Sequence, residues 1–140
     1  MARRGARGRA RIGVYLVEGI GCSGCVLEAR AVLATRYAAA GQAIVLVGAP
    51  AHADLLLLCG TFPAPLAEEV QALAQALPEP WACLHLGDCG GAALFPDREV
   101  SLPGCPPGPE GILDAVRAAW RTRQKAKPAG PAPASGEEVP

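Results

Sequence analysis

Six cysteines are spread through the 140 residues, and four of them stand where a chain could use thiols for chemistry. Cys22 and Cys25 form a CxxC pair in "EGIGCSGCVLE", where a short apolar run gives way to a helix-like stretch. Cys89 stands in "LGDCGG" and Cys105 in "LPGCPPGPE", each just past another apolar run. Gly21, Gly24, Gly87, Gly90, Gly91 and Gly104 surround them. Glycine takes positive φ and lets backbone amides come close to a bulky inorganic core. Four thiolates in one place suit tetrahedral zinc or an iron–sulfur cubane. A single CxxC knuckle with two further cysteines on separate loops departs from the paired knuckles of structural zinc sites, which favours the cluster. Pro106 and Pro107 stiffen the loop after Cys105 and shield it from solvent. Two alternatives stay open. One is a zinc-stabilised interaction module. The other is a thioredoxin-like dithiol oxidoreductase, with CxxC at a helix N-terminus where the dipole lowers a thiol's pKa; that reading leaves Cys89 and Cys105 without a role. Cys59 and Cys83 lie inside "LLLLCG" and "WACLHL" and read as small buried hydrophobes.

Loops this far apart in sequence need a sheet to gather them. "RIGVYLVEG" (11–19), "AIVLVGAP" (43–50), "ADLLLLCG" (53–60), "WACLHLGD" (81–88) and "EVSLPG" (99–104) read as strands. The second and third are continuous apolar runs, as expected of parallel strands buried on both faces. Helices are expected over 25–41, ended by Gly41, and over "PLAEEVQALAQALPEP". There Leu66, Val70, Leu73 and Leu77 share one face and Pro78 stops the helix. The last helix, 109–127, turns Ile112, Leu113, Val116 and Trp120 inward. Strands alternating with helices predict an α/β, flavodoxin-like three-layer sandwich with a parallel sheet of about five strands. Ligands of such sheets sit outside the carboxyl ends of the strands, which is where all four cysteines fall. Residues 1–10 read as a flexible basic arm, 11–127 as the cluster-binding domain, and 128–140 as a disordered Pro/Ala-rich tail.

With 13 basic and 13 acidic residues, the charge balance argues against a nucleic-acid partner. No apolar run approaches the ~18–20 residues of a spanning helix. The first apolar run is closed early by Glu18, and Gly19 stands where a lipoprotein signal has a large aliphatic residue. A cytoplasmic chain is expected, peripheral on the membrane through partners if at all. In that compartment cysteines serve metal or redox chemistry more than structural disulfides.

"GCSGCVLE", "PAHADLLLLCG", "LPEPWACLHLGDCGG" and "LPGCPPGPEGIL" occur in that order. The order resembles the small cluster-bearing subunit shared by respiratory complex I and the energy-converting [NiFe] hydrogenases, over roughly residues 12–120. The resemblance implies one [4Fe–4S] cluster on Cys22, Cys25, Cys89 and Cys105. It implies an electron relay with no active site of its own. The expected partner is a large catalytic subunit of the [NiFe] hydrogenase or the complex I type, with further iron–sulfur or membrane subunits around it. The CxxC spacing of the first pair matches the hydrogenase side, since complex I has adjacent cysteines there. Glu28 matches a family glutamate, and two readings stand for it: a proton-handling or partner-facing carboxylate, or a first-turn residue favoured by the helix dipole. His52 and Asp54 match the family's HAD element, where Asp54 is expected to pin the loop before its strand. His85 reads as a satisfied buried histidine. The chain departs from the family at Ala51, where an arginine is usual, and in its short stretch from Cys89 to Cys105. Altered electrostatics at the cluster follow from the first departure.

Overall fold

The computed structural model describes residues 11–21, 23–34 and 43–125. The expected basic arm, the tail, the end of the first helix up to Gly41, and Cys22 lie outside the described residues. The elements run β1 Arg11–Glu18, α1 Gly24–Leu33, β2 Ala43–Leu46, a 3-10 turn Pro50–His52, β3 Leu55–Cys59, α2 Ala64–Ala74, β4 Ala82–Leu86, β5 Glu99–Leu102 and α3 Pro109–Lys125. The strands form one sheet in the order β2-β1-β3-β4-β5, all parallel. That is the flavodoxin-like order, in which the connections reverse direction between β1 and β3.

Every residue of β3 and of β4 is buried. Alternation along β3 divides its side chains between two cores. Leu55, Leu57 and Cys59 join Val26, Ala29, Ile112 and Val116 of α1 and α3. Leu56 and Leu58 join Val70 and Ala74 of α2 and the Trp81 ring. Each of these leucines contributes about 2 kcal/mol by leaving water. The expectation of burial on both faces holds for β3 but fails for β2. That strand is the sheet's edge, and only Ile44 of its four residues is fully buried. On α3 the buried stripe is Ile112, Leu113, Val116 and Ala119, with Trp120 packed partly buried beside it.

Asp54 fixes β1 against the entrance of β3. Its carboxylate Oδ2 accepts the Gly13 N–H at 2.8 Å, and its own N–H donates to the Gly13 carbonyl at 2.7 Å. A side chain at Gly13 would put a Cβ 2.8 Å from the His52 carbonyl oxygen, so glycine allows this approach. The structural role expected of Asp54 is what these contacts describe. The irregular stretch from β4 to β5 is held by Arg98, whose guanidinium lies 4.1 Å over the Trp81 ring and donates to the Trp81 carbonyl and the Glu79 carboxylate. Replacing Asp54 with Ala should cost about 2 kcal/mol of unfolding free energy, the range of a charge-assisted hydrogen bond. Denaturant titration of the full chain measures it, and a change under 0.5 kcal/mol would mean the contact is dispensable.

Candidate metal centre

Beyond the carboxyl ends of β1 and β3 the two chains are bonded face to face. Gly19 N–H donates to the Cys59 carbonyl at 2.7 Å, and Ile20 and Thr61 exchange both backbone hydrogen bonds at 2.9 and 2.8 Å. Gly60, between them, has φ +100°, and a Cβ there would stand 2.9 Å from the Ile20 carbonyl oxygen. This crossing forms the floor of an open cleft lined by Glu18, Gly19, Gly21, Ser23, Cys25, Val26, Cys59, Gly60 and Cys89. Three elements therefore contribute thiols to one cleft: the turn into α1, the end of β3 and the turn after β4.

The loop carrying Cys105 is tied to the loop carrying Cys89. Gly87 N–H donates to Leu102 O at 2.8 Å, Asp88 N–H to Gly104 O at 3.1 Å, and Gly104 N–H to the Asp88 carboxylate at 2.8 Å. Each cysteine follows this ladder by one residue. Gly87 brings Cys25 into the same corner: at φ +94°, a Cβ there would lie 2.5 Å from the Cys25 sulfur and 3.7 Å from the Gly104 carbonyl oxygen. The Thr61 hydroxyl donates to the Cys89 carbonyl, joining the β3 turn to the β4 turn. Cys89 and Cys105 are exposed and Cys25 is half-buried, so the shielding from solvent expected of Pro106 and Pro107 does not extend to the Cys105 side chain. Among the described residues no three His, Cys, Asp or Glu side chains stand close enough together to hold a metal ion, and Cys22 lies outside those residues. Thiols on three converging glycine-rich turns, with a sulfur packed where a β-carbon would go, nevertheless make a donor set and a cradle that fit a thiolate-held cluster.

Ser23, between the paired cysteines, holds φ +68° at the entrance to α1, and its hydroxyl donates to Glu18 at 3.2 Å. Glu18, read in the sequence only as the residue closing the first apolar run, thus lines the cleft, whereas Glu28 is half-buried on α1 and is not among the lining residues. His52 is exposed on the 3-10 turn. Cys59 is buried as expected, yet it also faces the cleft. Counting by twos from Leu55 places it on the α1 side at the last position of β3, a signal that was available in the sequence. Burial first, then the neighbouring Cys25 and Glu18, pushes the Cys59 thiol up to about 12. Burial likewise raises Cys83.

No protein-family profile matches the chain. A probable membrane-bound hydrogenase subunit, mbhJ, of Pyrococcus furiosus is 34% identical over 139 residues, covering 89% of this chain and 83% of the relative. Formate hydrogenlyase subunit 7 of Escherichia coli is 32% identical, over 71% of this chain and 45% of the relative. NAD(P)H-quinone oxidoreductase subunit K 2 of a Cyanothece species is also 32% identical, over 72% and 44%. The chain belongs to this hydrogenase and complex I small-subunit family. It spans most of the hydrogenase relative but less than half of the other two. The fold is that of a chain in an archaeal membrane-bound sulfane sulfur reductase, with TM-score 0.66 and 20% identity over 90% of this chain and 77% of the other.

The thiols differ in exposure and so can be separated by reactivity. Iodoacetamide near neutral pH should alkylate Cys89 and Cys105 of the metal-free chain first, and Cys59 and Cys83 only on unfolding. Peptide mapping by mass spectrometry reads the order, and early labelling of Cys59 would contradict its burial. A second test concerns His85 and Glu99, whose side chains are joined at 3.0 Å. Burial alone would lower the His85 pKa, but the Glu99 and Gly60 hydrogen bonds outweigh it and the net shift is upward from 6.5. Burial alone would raise Glu99, but His85 and the Phe95 and Leu94 amides bring it below 4.5. The histidine's contribution is full below 6.5 and lost as pH rises through its raised value. The glutamate's is full above 4.5 and lost as pH falls through its lowered value. Glu99→Gln should therefore destabilise most between 4.5 and 6.5, by about 3 kcal/mol, in thermal unfolding across pH.

Proposed function

We propose that this chain is an electron-transfer subunit carrying one [4Fe–4S] cluster on Cys22, Cys25, Cys89 and Cys105. It works within a hydrogenase-like or complex-I-like oxidoreductase complex. The observation that carries the reading is the meeting of the Cys25, Cys89 and Cys105 turns at one corner, with the Cys25 sulfur packed against Gly87. When bound, the cluster supplies a one-electron redox centre. The chain's own part is to present thiolates, to bring backbone close through Gly60, Gly87 and Gly104, and to keep one side of the cleft dry with Val26 and the end of β3. In this reading turnover belongs to a larger partner, the [NiFe] hydrogenase or complex I large subunit. Ile20 and Leu27, 60% and 67% exposed beside the cleft, offer that partner an apolar rim. The relatives named as hydrogenase, formate hydrogenlyase and quinone oxidoreductase subunits support the assignment to such a complex. No helix among the described residues is long and apolar enough to cross a membrane, and in this proposal membrane attachment of the complex falls to further subunits.

Anaerobic purification of the full chain with iron and acid-labile sulfide analysis tests the proposal. About four of each per chain are expected, with an electron-spin-resonance signal after dithionite that is lost in Cys105→Ser. Zinc without sulfide would overturn it, and redox activity surviving Cys89→Ser and Cys105→Ser would point to the dithiol instead.

A further inference from the structure

Behind the cleft sits a charged pair that cysteine ligation does not use. The His85 and Glu99 side chains are 4% and 3% exposed. His85 Nε2 lies 2.7 Å from the Gly60 carbonyl oxygen and Nδ1 lies 3.0 Å from Glu99 Oε2. A carbonyl can only accept, so Nε2 carries a proton. The other carboxylate oxygen, Oε1, accepts the Leu94 and Phe95 N–H groups at 2.8 and 3.1 Å. Two backbone donors on one oxygen favour the ionised carboxylate, so Nδ1 donates as well and the ring is an imidazolium.

The ring's surroundings tie it to the cleft. Its ε edge packs against Gly90, where a Cβ would stand 2.7 Å from Nε2 and 2.8 Å from Cε1. The Phe62 ring meets it edge-on at 5.8 Å. Gly60 lines the cleft and Gly90 directly follows Cys89, which also lines it. The imidazolium is thus wedged between the two turns that the Thr61 hydroxyl also joins. The pair is neutral as a whole but oriented. Its positive end points at the cleft turns, and its negative end is held by amides on the far side. A dipole fixed in a low-dielectric interior favours negative charge at its positive end.

We propose that His85 is a positioning residue for the cysteine cleft: locked between Glu99 and the Gly60 carbonyl, it sets the spacing of the Gly60 and Cys89–Gly91 turns and turns a buried positive charge towards them. The inference rests on the cluster reading above. Its consequence is that electron affinity at the cleft depends on a residue that touches no cysteine in the described contacts.

The test uses the full chain and His85→Gln. In the cluster-free wild type, nitrogen NMR of the ring at neutral pH should show both nitrogens protonated. In cluster-loaded protein, a redox titration monitored by electron spin resonance should show at least a tenfold loss of electron affinity in His85→Gln. That is a midpoint about 59 mV more negative, read at iron and sulfide content equal to wild type. A merely structural histidine would leave the midpoint unmoved in a fully loaded variant, and an unmoved midpoint overturns the proposal while the cluster reading stands. Should His85→Gln fail to fold or load, the wild-type ring decides, because a neutral ring overturns the proposal. Should the wild type itself bind no iron, the cluster reading fails, and the ring measurement still judges the clamp.

Discussion

β3 has no solvent face. Five residues, Leu55 to Cys59, are buried without exception, and a strand of that kind must be an inner strand of a sheet covered on both sides. From that requirement follow the two separate cores, the placement of α1 and α3 opposite α2, and the pairing of β1 and β4 on either side. Because the strands are parallel, all their carboxyl ends open on one edge. Cys25 beyond β1, Cys59 at the end of β3, Cys89 beyond β4 and Cys105 beyond β5 therefore share that edge without any one loop having to be long.

What closes the edge into a cleft is steric more than chemical. At Gly60 and Gly87 a β-carbon would collide with the Ile20 carbonyl and the Cys25 sulfur respectively, and both residues hold positive φ. The thiols are what a metal would meet. The missing side chains let the turns come near enough to each other for that meeting to be possible.

Much of this was legible in the sequence. The unbroken apolar run of β3, the helical spacing of α2 and the positions of Cys89 and Cys105 just past β4 and β5 are local patterns, and local patterns survive folding. Strand rank is not local: nothing within "AIVL" separates an edge strand from an inner one, so β2 reads as buried on both faces although it is the edge of the sheet. Trp120 was expected inward, but the smaller Ala119 takes the fully buried position while the large ring packs partly buried beside it. The His85–Glu99 pair spans 14 residues across a connection with no regular structure, so no periodicity could reveal it. A buried histidine was legible; its acidic partner and the carbonyl it holds were not.

The short connection between Cys89 and Cys105 is anchored at both ends and idle in the middle. Gly87 and Asp88 are laced to Leu102 and Gly104, and Leu94 and Phe95 are laced to Glu99. Gly91, Ala92 and Ala93 lie between, all exposed. Extra residues inserted there would lengthen a surface excursion without loosening either anchor, at an entropic cost that grows only slowly with length. The scaffold thus separates a part that must stay constant from a part free to be rewritten. A new partner surface could be grown by evolution or by an engineer on one side of the cleft while the cysteine-bearing turns stay where they are.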